Sequence, residues 1–392
     1  MKSYLSTATR GLIVLVLAGI WMPEASLKAQ LDTLTIDGRW SKEKAHEWYD
    51  RHDWLAGTNF VPSTAVNPIE MWQESTFDPE TIDRELGYAE DLGFNVMRVF
   101  LHYLVWVRSP EAMKKRMDRY LEIADRHGIK TMFVMFDDVW GKDPNLGPQP
   151  DPVPGLHNSG WVQNPGHDQR LDKALYPVFE AYYKDIMNRF KNDDRVLLWD
   201  LYNEPGNGKH PPKSSLPLLK KVFTWAREVN PSQPLAAAVW IWDDRFDELN
   251  QFQMANSDVI TFNTYDPLPQ AKEEAGQLMK LGRPMICTEY MARTRDNKFQ
   301  THMPWFKKND IGAINWGLVS GKTNTIYSWQ WPREASNDYW RKWHEQVRAN
   351  YPYENGQVPE PDTWFHDILR KDGTPYDSSE VELIKKLTGA KK

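Results

Sequence analysis

Apolar and polar positions along this chain follow two alternating patterns. One has apolar residues three and four apart, and the other is a short, almost unbroken apolar run. Asp78-Pro79-Glu80 supplies an N-cap and a proline at the first helical position. Ile82, Leu86, Ala89 and Leu92 then recur at helical spacing, and Gly93 stops the helix. The run from Phe94 to Phe100 follows at once and reads as a buried strand. The next unit repeats this order. Ser109-Pro110-Glu111 opens a helix, Met113, Met117, Leu121 and Ala124 line one face, Gly128 closes it, and Lys130 to Phe136 is the strand.

Strands of the same kind are expected at Val196 to Tyr202, Leu235 to Trp242, Asp258 to Tyr265, Pro284 to Tyr290 and Gly312 to Leu318. Helical stretches such as Leu216 to Glu228 and Gln270 to Leu281 lie between them. With Trp54 to Phe60 as the first, the count reaches eight strands. Eight strand-then-helix units predict an α/β protein, a closed (β/α)8 TIM barrel. The interval from 130 to 196 is too long for one unit. Its surplus, 140 to 170, is aperiodic and rich in Pro, Gly, Asn and Asp, so a long loop is expected after strand three, on the face where barrel sites are built. The tail from Pro352 reads as a wrap over the barrel, with a last helix starting at Ser379 and Glu382 completing a capping box.

The amino terminus breaks the pattern. Lys2 and Arg10 precede the apolar run Gly11 to Ile20, and Ala29 offers a small residue for cleavage. Residues 1–30 are therefore expected to be a signal peptide, with one barrel domain over 31–392 and a periplasmic or secreted mature protein. The run is too short to cross a bilayer, which takes about 20 residues. No stable membrane insertion is expected once it is cleaved.

Composition narrows the function. Lys and Arg number 48 against 54 Asp and Glu, a net charge of -6, which argues against nucleic acid as a partner. One cysteine, Cys287, excludes an internal disulfide framework. Nineteen tryptophans in 392 residues is high, and aromatic rings suit the apolar faces of sugars. Trp54, Trp72, Trp106, Trp140, Trp161, Trp240, Trp242, Trp316 and Trp329 fall near expected strand ends or rim loops, which makes them candidate sugar platforms.

Two apolar strands end in a glutamate: Trp199 to Pro205 carries Glu204, and Ile286 to Tyr290 carries Glu289. A charge at the end of an otherwise apolar strand asks for a reason. Two carboxyl groups across a barrel mouth are what glycosidic cleavage needs, one protonated and one ionised. Tyr202-Asn203-Glu204-Pro205 with Thr288-Glu289-Tyr290 resembles the catalytic pairing of the large clan of retaining (β/α)8-barrel glycoside hydrolases that includes family 5. The resemblance implies that Glu204 is the acid/base and Glu289 the nucleophile. It also implies that Arg98 steadies the nucleophile, Asn203 bonds a sugar 2-hydroxyl, Tyr265 stands beside the nucleophile and Trp316 floors the subsite. Trp140, Trp242 and Asp137 join them as candidate substrate contacts.

The chain departs from the family in Asn263-Thr264-Tyr265, where His-x-Tyr is frequent, and in Asp137-Asp138, where a histidine is frequent. The expected partner is an oligo- or polysaccharide such as a β-linked glucan, mannan or xylan, with no metal or other cofactor. A metal-dependent hydrolase would want His-x-His on strand one, which ends Thr58-Asn59-Phe60. Two further readings stay open: a non-catalytic carbohydrate-binding barrel, and a transglycosylase sharing the covalent intermediate.

Overall fold

The computed structural model describes residues 31–139, 141–329, 358 and 360–390. The expected signal segment and Trp140 lie outside the described residues. Eight parallel strands form one sheet in the order β5-β4-β3-β2-β1-β8-β7-β6. They are β1 Ala56–Asn59, β2 Val96–Phe100, β3 Lys130–Asp137, β4 Val196–Asn203, β5 Leu235–Ala236, β6 Ile260–Asn263, β7 Met285–Glu289 and β8 Ile311–Trp316. Between β5 and β6 the barrel closes through a bridge, with the Val239 N–H donating to Thr261 O at 3.0 Å and the Asn263 N–H to Val239 O at 2.9 Å. The fifth strand is shorter than its expected span because the chain leaves the ladder after Ala236.

Alternation along the strands builds the interior in layers. On β2, Met97 and Val99 pack outward against the helices, while Val96, Arg98 and Phe100 alternate with them on the inner face. Val96 joins Met132, Leu198, Ala236, Ile286 and Ile314 in an apolar layer, and Tyr49 of the helix Lys42–Tyr49 packs against it. Phe100 joins Val134, Trp161 and Trp316 in an aromatic layer near the carboxyl ends. Arg98 sits between the two. Close strand approach explains Gly57, since a Cβ there would stand 1.7 Å from the Val96 carbonyl oxygen.

The helices follow the expected units with local corrections. Asp78 caps Pro79–Asp91 by accepting from Thr81 N, as its position implies. Ser109 makes no such side-chain bond at the start of Pro110–Arg126. The terminal helix, Ser378–Thr388, is capped by Asp377, which accepts both the N–H and the hydroxyl of Ser379. An aspartate already fills that role, so the Ser379-Glu382 capping box does not form. The tail also does more than wrap. Residues 365–369 run beside the loop after β8, with the Phe365 N–H on Ile326 O and the Ile368 N–H on Leu318 O. The terminal helix then docks on Phe299–Lys308 and reaches Leu92 O through the Thr388 hydroxyl, taking the place of the eighth helix of the ring.

Candidate active site

Glu289 ends β7, and its burial pushes the carboxyl up from the ordinary glutamate value. Two donors oppose that. Arg98 Nη1 donates to Oε1 at 2.7 Å, and the Tyr265 hydroxyl donates to Oε2 at 2.9 Å. Arg98 is fully buried and every polar contact it makes is to an interior acceptor: Asp200 Oδ2 at 2.8 and 3.0 Å, Asn59 Oδ1 at 2.8 Å and Asn203 Oδ1 at 2.6 Å. Burial alone would lower its pKa, but Asp200 and Glu289 reverse that and raise it, so the guanidinium stays charged. Two of its nitrogens, Nε and Nη2, are anchored on Asp200 Oδ2, so the guanidinium is held rigidly and aims one charged donor at Glu289.

Glu204 follows the last residue of β4 and adopts a left-handed φ of 42°, a conformation that non-glycine residues hold only under constraint. Its partners are neutral. Asn263 Nδ2 donates to Oε1 at 3.0 Å and Asn207 Nδ2 to Oε2 at 2.6 Å. Burial, then the charge of Glu289, pushes the Glu204 carboxyl up to about 8. The two glutamates therefore differ by environment: one faces a cation and a phenol, the other faces two amides and the first carboxylate. Such a pair separates into a proton holder and an anion.

A constraint on Glu204 lies beneath its turn. Asp138 accepts from the Gly206 N–H at 2.8 Å, the Ser215 hydroxyl at 2.5 Å and the Tyr202 hydroxyl at 2.7 Å. Arg170, buried at the end of the long loop, pairs with it at 2.6 Å. Neighbouring Asp137 is also buried and takes three protein donors: Asn203 Nδ2 at 2.9 Å, the Trp161 indole at 2.8 Å and the Val139 N–H at 3.0 Å. Its oxygens hold Asn203 and Trp161, and burial raises its carboxyl to about 7.

A family model for cellulases of glycosyl hydrolase family 5 matches residues 60–353, which span both glutamates and seven of the eight strands. The chain belongs to glycosyl hydrolase family 5. Among curated proteins, a mannan endo-1,4-β-mannosidase A from Emericella nidulans is 25% identical over 91 residues, 23% of this chain and 21% of that protein. Among solved structures, an exo-β-1,4-mannosidase from Opitutaceae bacterium strain TAV5 superposes with a TM-score of 0.57 at 16% identity. That superposition covers 86% of this chain, and the chain spans 60% of that structure's length. An endo-β-1,4-mannanase from Thermotoga petrophila matches with a TM-score of 0.53 at 14% identity, over 86% of this chain and 76% of that one. At these identities the structures speak for the fold alone.

Around the two glutamates of this family 5 barrel, the aromatic residues divide. Trp316 ends β8 with 8% of its surface exposed and packs edge-on to Phe100 and Trp161, each 5.7 Å away. Trp329 stacks edge-on against Tyr265 at 4.9 Å, and its indole donates to His157. Trp240 is half-buried, and its indole donates to Pro205 O beside the Glu204 turn at 3.2 Å. Trp242 is 39% exposed on the same segment.

Other candidates lie away from the mouth. Trp54 precedes β1 and donates to Ile311 O at the amino end of β8. Trp72 is fully buried in the outer core, and Trp106 donates to Asp185 on a ring helix. Arg293 is buried and paired with Glu380 at 2.6 Å, and Lys322 pairs with Glu70 at 2.6 Å. Sequence reading missed Asn207, Asn59 and the Asp138–Arg170 pair. The polar end of β1 was the signal for Asn59, and Pro205-Gly206 was the signal for a turn that returns Asn207 to the glutamate.

Proposed function

We propose that the protein is a retaining glycoside hydrolase acting on a β-linked glycan, with Glu204 as acid/base and Glu289 as nucleophile. One observation carries this reading. Two buried carboxyl groups share the barrel mouth with unlike partners, Arg98 and Tyr265 on Glu289 and two amides on Glu204. In the first step Glu289 attacks the anomeric carbon while Glu204 gives its proton to the departing oxygen, leaving a glycosyl ester and a carboxylate. In the second, Glu204 takes a proton from water, the water oxygen bonds to the anomeric carbon, and the ester opens to free Glu289. As negative charge leaves Glu289, less of it opposes ionisation of Glu204, which suits the change from acid to base.

Asn203 stands next to Glu204 with its amide shared between Arg98 and Asp137, a position that suits a contact to the 2-hydroxyl. The mannan-cleaving relatives support a β-1,4-mannan as the first substrate to test, ahead of glucan and xylan. The amino-terminal segment supports an exported protein. The test is hydrolysis of aryl β-glycosides and polysaccharides by wild type, Glu204→Ala and Glu289→Ala, with product configuration followed by proton NMR. Expected are retention, a dead Glu289→Ala, and a Glu204→Ala that still cleaves substrates with good leaving groups and is accelerated by azide. Inversion of configuration would refute the mechanism. Glycan binding with no turnover would favour a non-catalytic barrel, and transfer to sugar over water would make it a transglycosylase.

A further inference from the structure

The segment after the acid/base is Glu204-Pro205-Gly206-Asn207. Proline second and glycine third are the residues that a type II turn asks for, and Gly206 has the required positive φ of 89°. The turn is closed by the Asn207 N–H, which donates to Glu204 O at 3.1 Å. A Cβ on Gly206 would lie 3.0 Å from Pro212 Cα and 2.9 Å from Leu249, so the turn is also packed from outside. This geometry sends the Asn207 side chain back over the first residue, where Nδ2 meets Glu204 Oε2 at 2.6 Å. Asn207 thus contacts its neighbour twice, through backbone and side chain. Lys209 and His210, further along the same loop, are both drawn to Asp168, at 3.1 and 2.7 Å.

We propose that Asn207 is a positioning residue that governs the proton of Glu204, holding Oε2 by an N–H and favouring the carboxylate that remains once the proton has gone to the leaving oxygen. The inference rests on the reading of Glu204 as acid/base. The charged groups facing Glu204 from other elements act in the opposite sense. Glu289 at the end of β7 and Asp137 at the end of β3 both favour its protonated form. Tyr265, after β6, spends its hydroxyl on Glu289, and Arg98 of β2 is divided among Glu289, Asp200 and two asparagines. Among the described residues only amides donate to Glu204 itself: Asn263 from the sheet, which also accepts from Thr288 Oγ1 at 2.7 Å, and Asn207 from the turn. An amide does not titrate, so its pull on the carboxylate is the same at every working pH.

The experiment compares wild type, Asn207→Ala and Asn207→Asp by the pH dependence of kcat/KM and by 13C NMR titration of the Glu204 carboxyl. The resonance is assigned by its loss in Glu204→Gln. Removing a donor to an anion raises its pKa, so in Asn207→Ala the alkaline limb and the carboxyl titration should both move up by about one pH unit. Asn207→Asp places a second carboxylate against the first and should move both further up. It has the shape of the native residue, so it still decides the matter if the alanine variant fails to fold. An alkaline limb and a carboxyl titration that stay put, or move down, would overturn the proposal. Wild type that cleaves no glycoside would remove the hydrolase reading, and the NMR titration would still decide whether Asn207 governs the Glu204 proton.

Discussion

Tyr265→Phe tests the electrostatics of the proposed nucleophile, Glu289, with the least disturbance to packing. The ring lies against Trp329 at 4.9 Å, and the phenylalanine keeps that contact. What disappears is one hydroxyl donating to Glu289 Oε2 at 2.9 Å. A hydrogen bond to a charged group contributes about 1.5–3 kcal/mol, and one pKa unit corresponds to about 1.4 kcal/mol. Arg98 still holds the other oxygen, so the lower end of that range applies, an upward shift of roughly one pH unit in Glu289. In the proposed mechanism Glu289 must be ionised to attack. The acid limb of the kcat/KM profile should therefore rise by that amount, while the alkaline limb, set by Glu204, stays within a few tenths. Because the two carboxyl groups are coupled, the profile reports values of the pair, and the comparison is between limbs of the same protein. The assay is hydrolysis of an activated aryl β-mannoside, or of whichever aryl glycoside wild type accepts, from pH 4 to 9. An acid limb that does not move, or an alkaline limb that moves in its place, would refute the assignment of roles.

Two further perturbations reach other parts of the molecule. The Glu204 carboxyl is raised from 4.5 to about 8, so between those values the folded protein binds a proton that the unfolded chain releases, and stability falls as pH climbs through the window. Glu204→Gln should abolish that loss, raising stability on the order of 2–4 kcal/mol at pH 8 and little at pH 4, as read from denaturant midpoints. Arg293→Ala should leave Glu380 buried beside its lost partner and cost about 3–5 kcal/mol, seen as faster hydrogen exchange in Ser378–Thr388 before the strands exchange.

Much of this could be read from the sequence, for physical reasons. Strands buried on both faces must be apolar throughout, so Phe94 to Phe100 and Lys130 to Phe136 stood out. A glutamate at the end of such a strand also stands out, which is why Glu204 and Glu289 were visible. Face was harder to read than element. Trp54 and Trp316 both flank strands, yet one sits at the amino end and the other at the mouth, and composition carries no direction. The last helix reads as the end of a wrapping tail because about 60 residues separate β8 from Ser378, far more than a βα unit. Asn207, Asp138 and Arg170 act through a turn and an aperiodic loop. Their meeting depends on tertiary geometry that no period encodes.

The same geometry explains why the Glu204 carboxyl is pushed up to about 8. The polar layer above the apolar plug contains four buried carboxyl groups, Asp137, Asp200, Glu204 and Glu289, against the guanidinium of Arg98. That cation contacts two of them, Asp200 and Glu289. The other two rely on neutral donors, and theirs are the carboxyls raised to about 7 and about 8. Burying more negative charge than one cation can balance leaves protonation as the remaining way to relieve the layer. The proton then resides on the groups that Arg98 does not reach. Asp137 has three donors closed around it, whereas Glu204 has two and stands at the opening. Among the described residues, the allocation of the Arg98 guanidinium therefore supports the proposed role of Glu204 as the group with a proton to give.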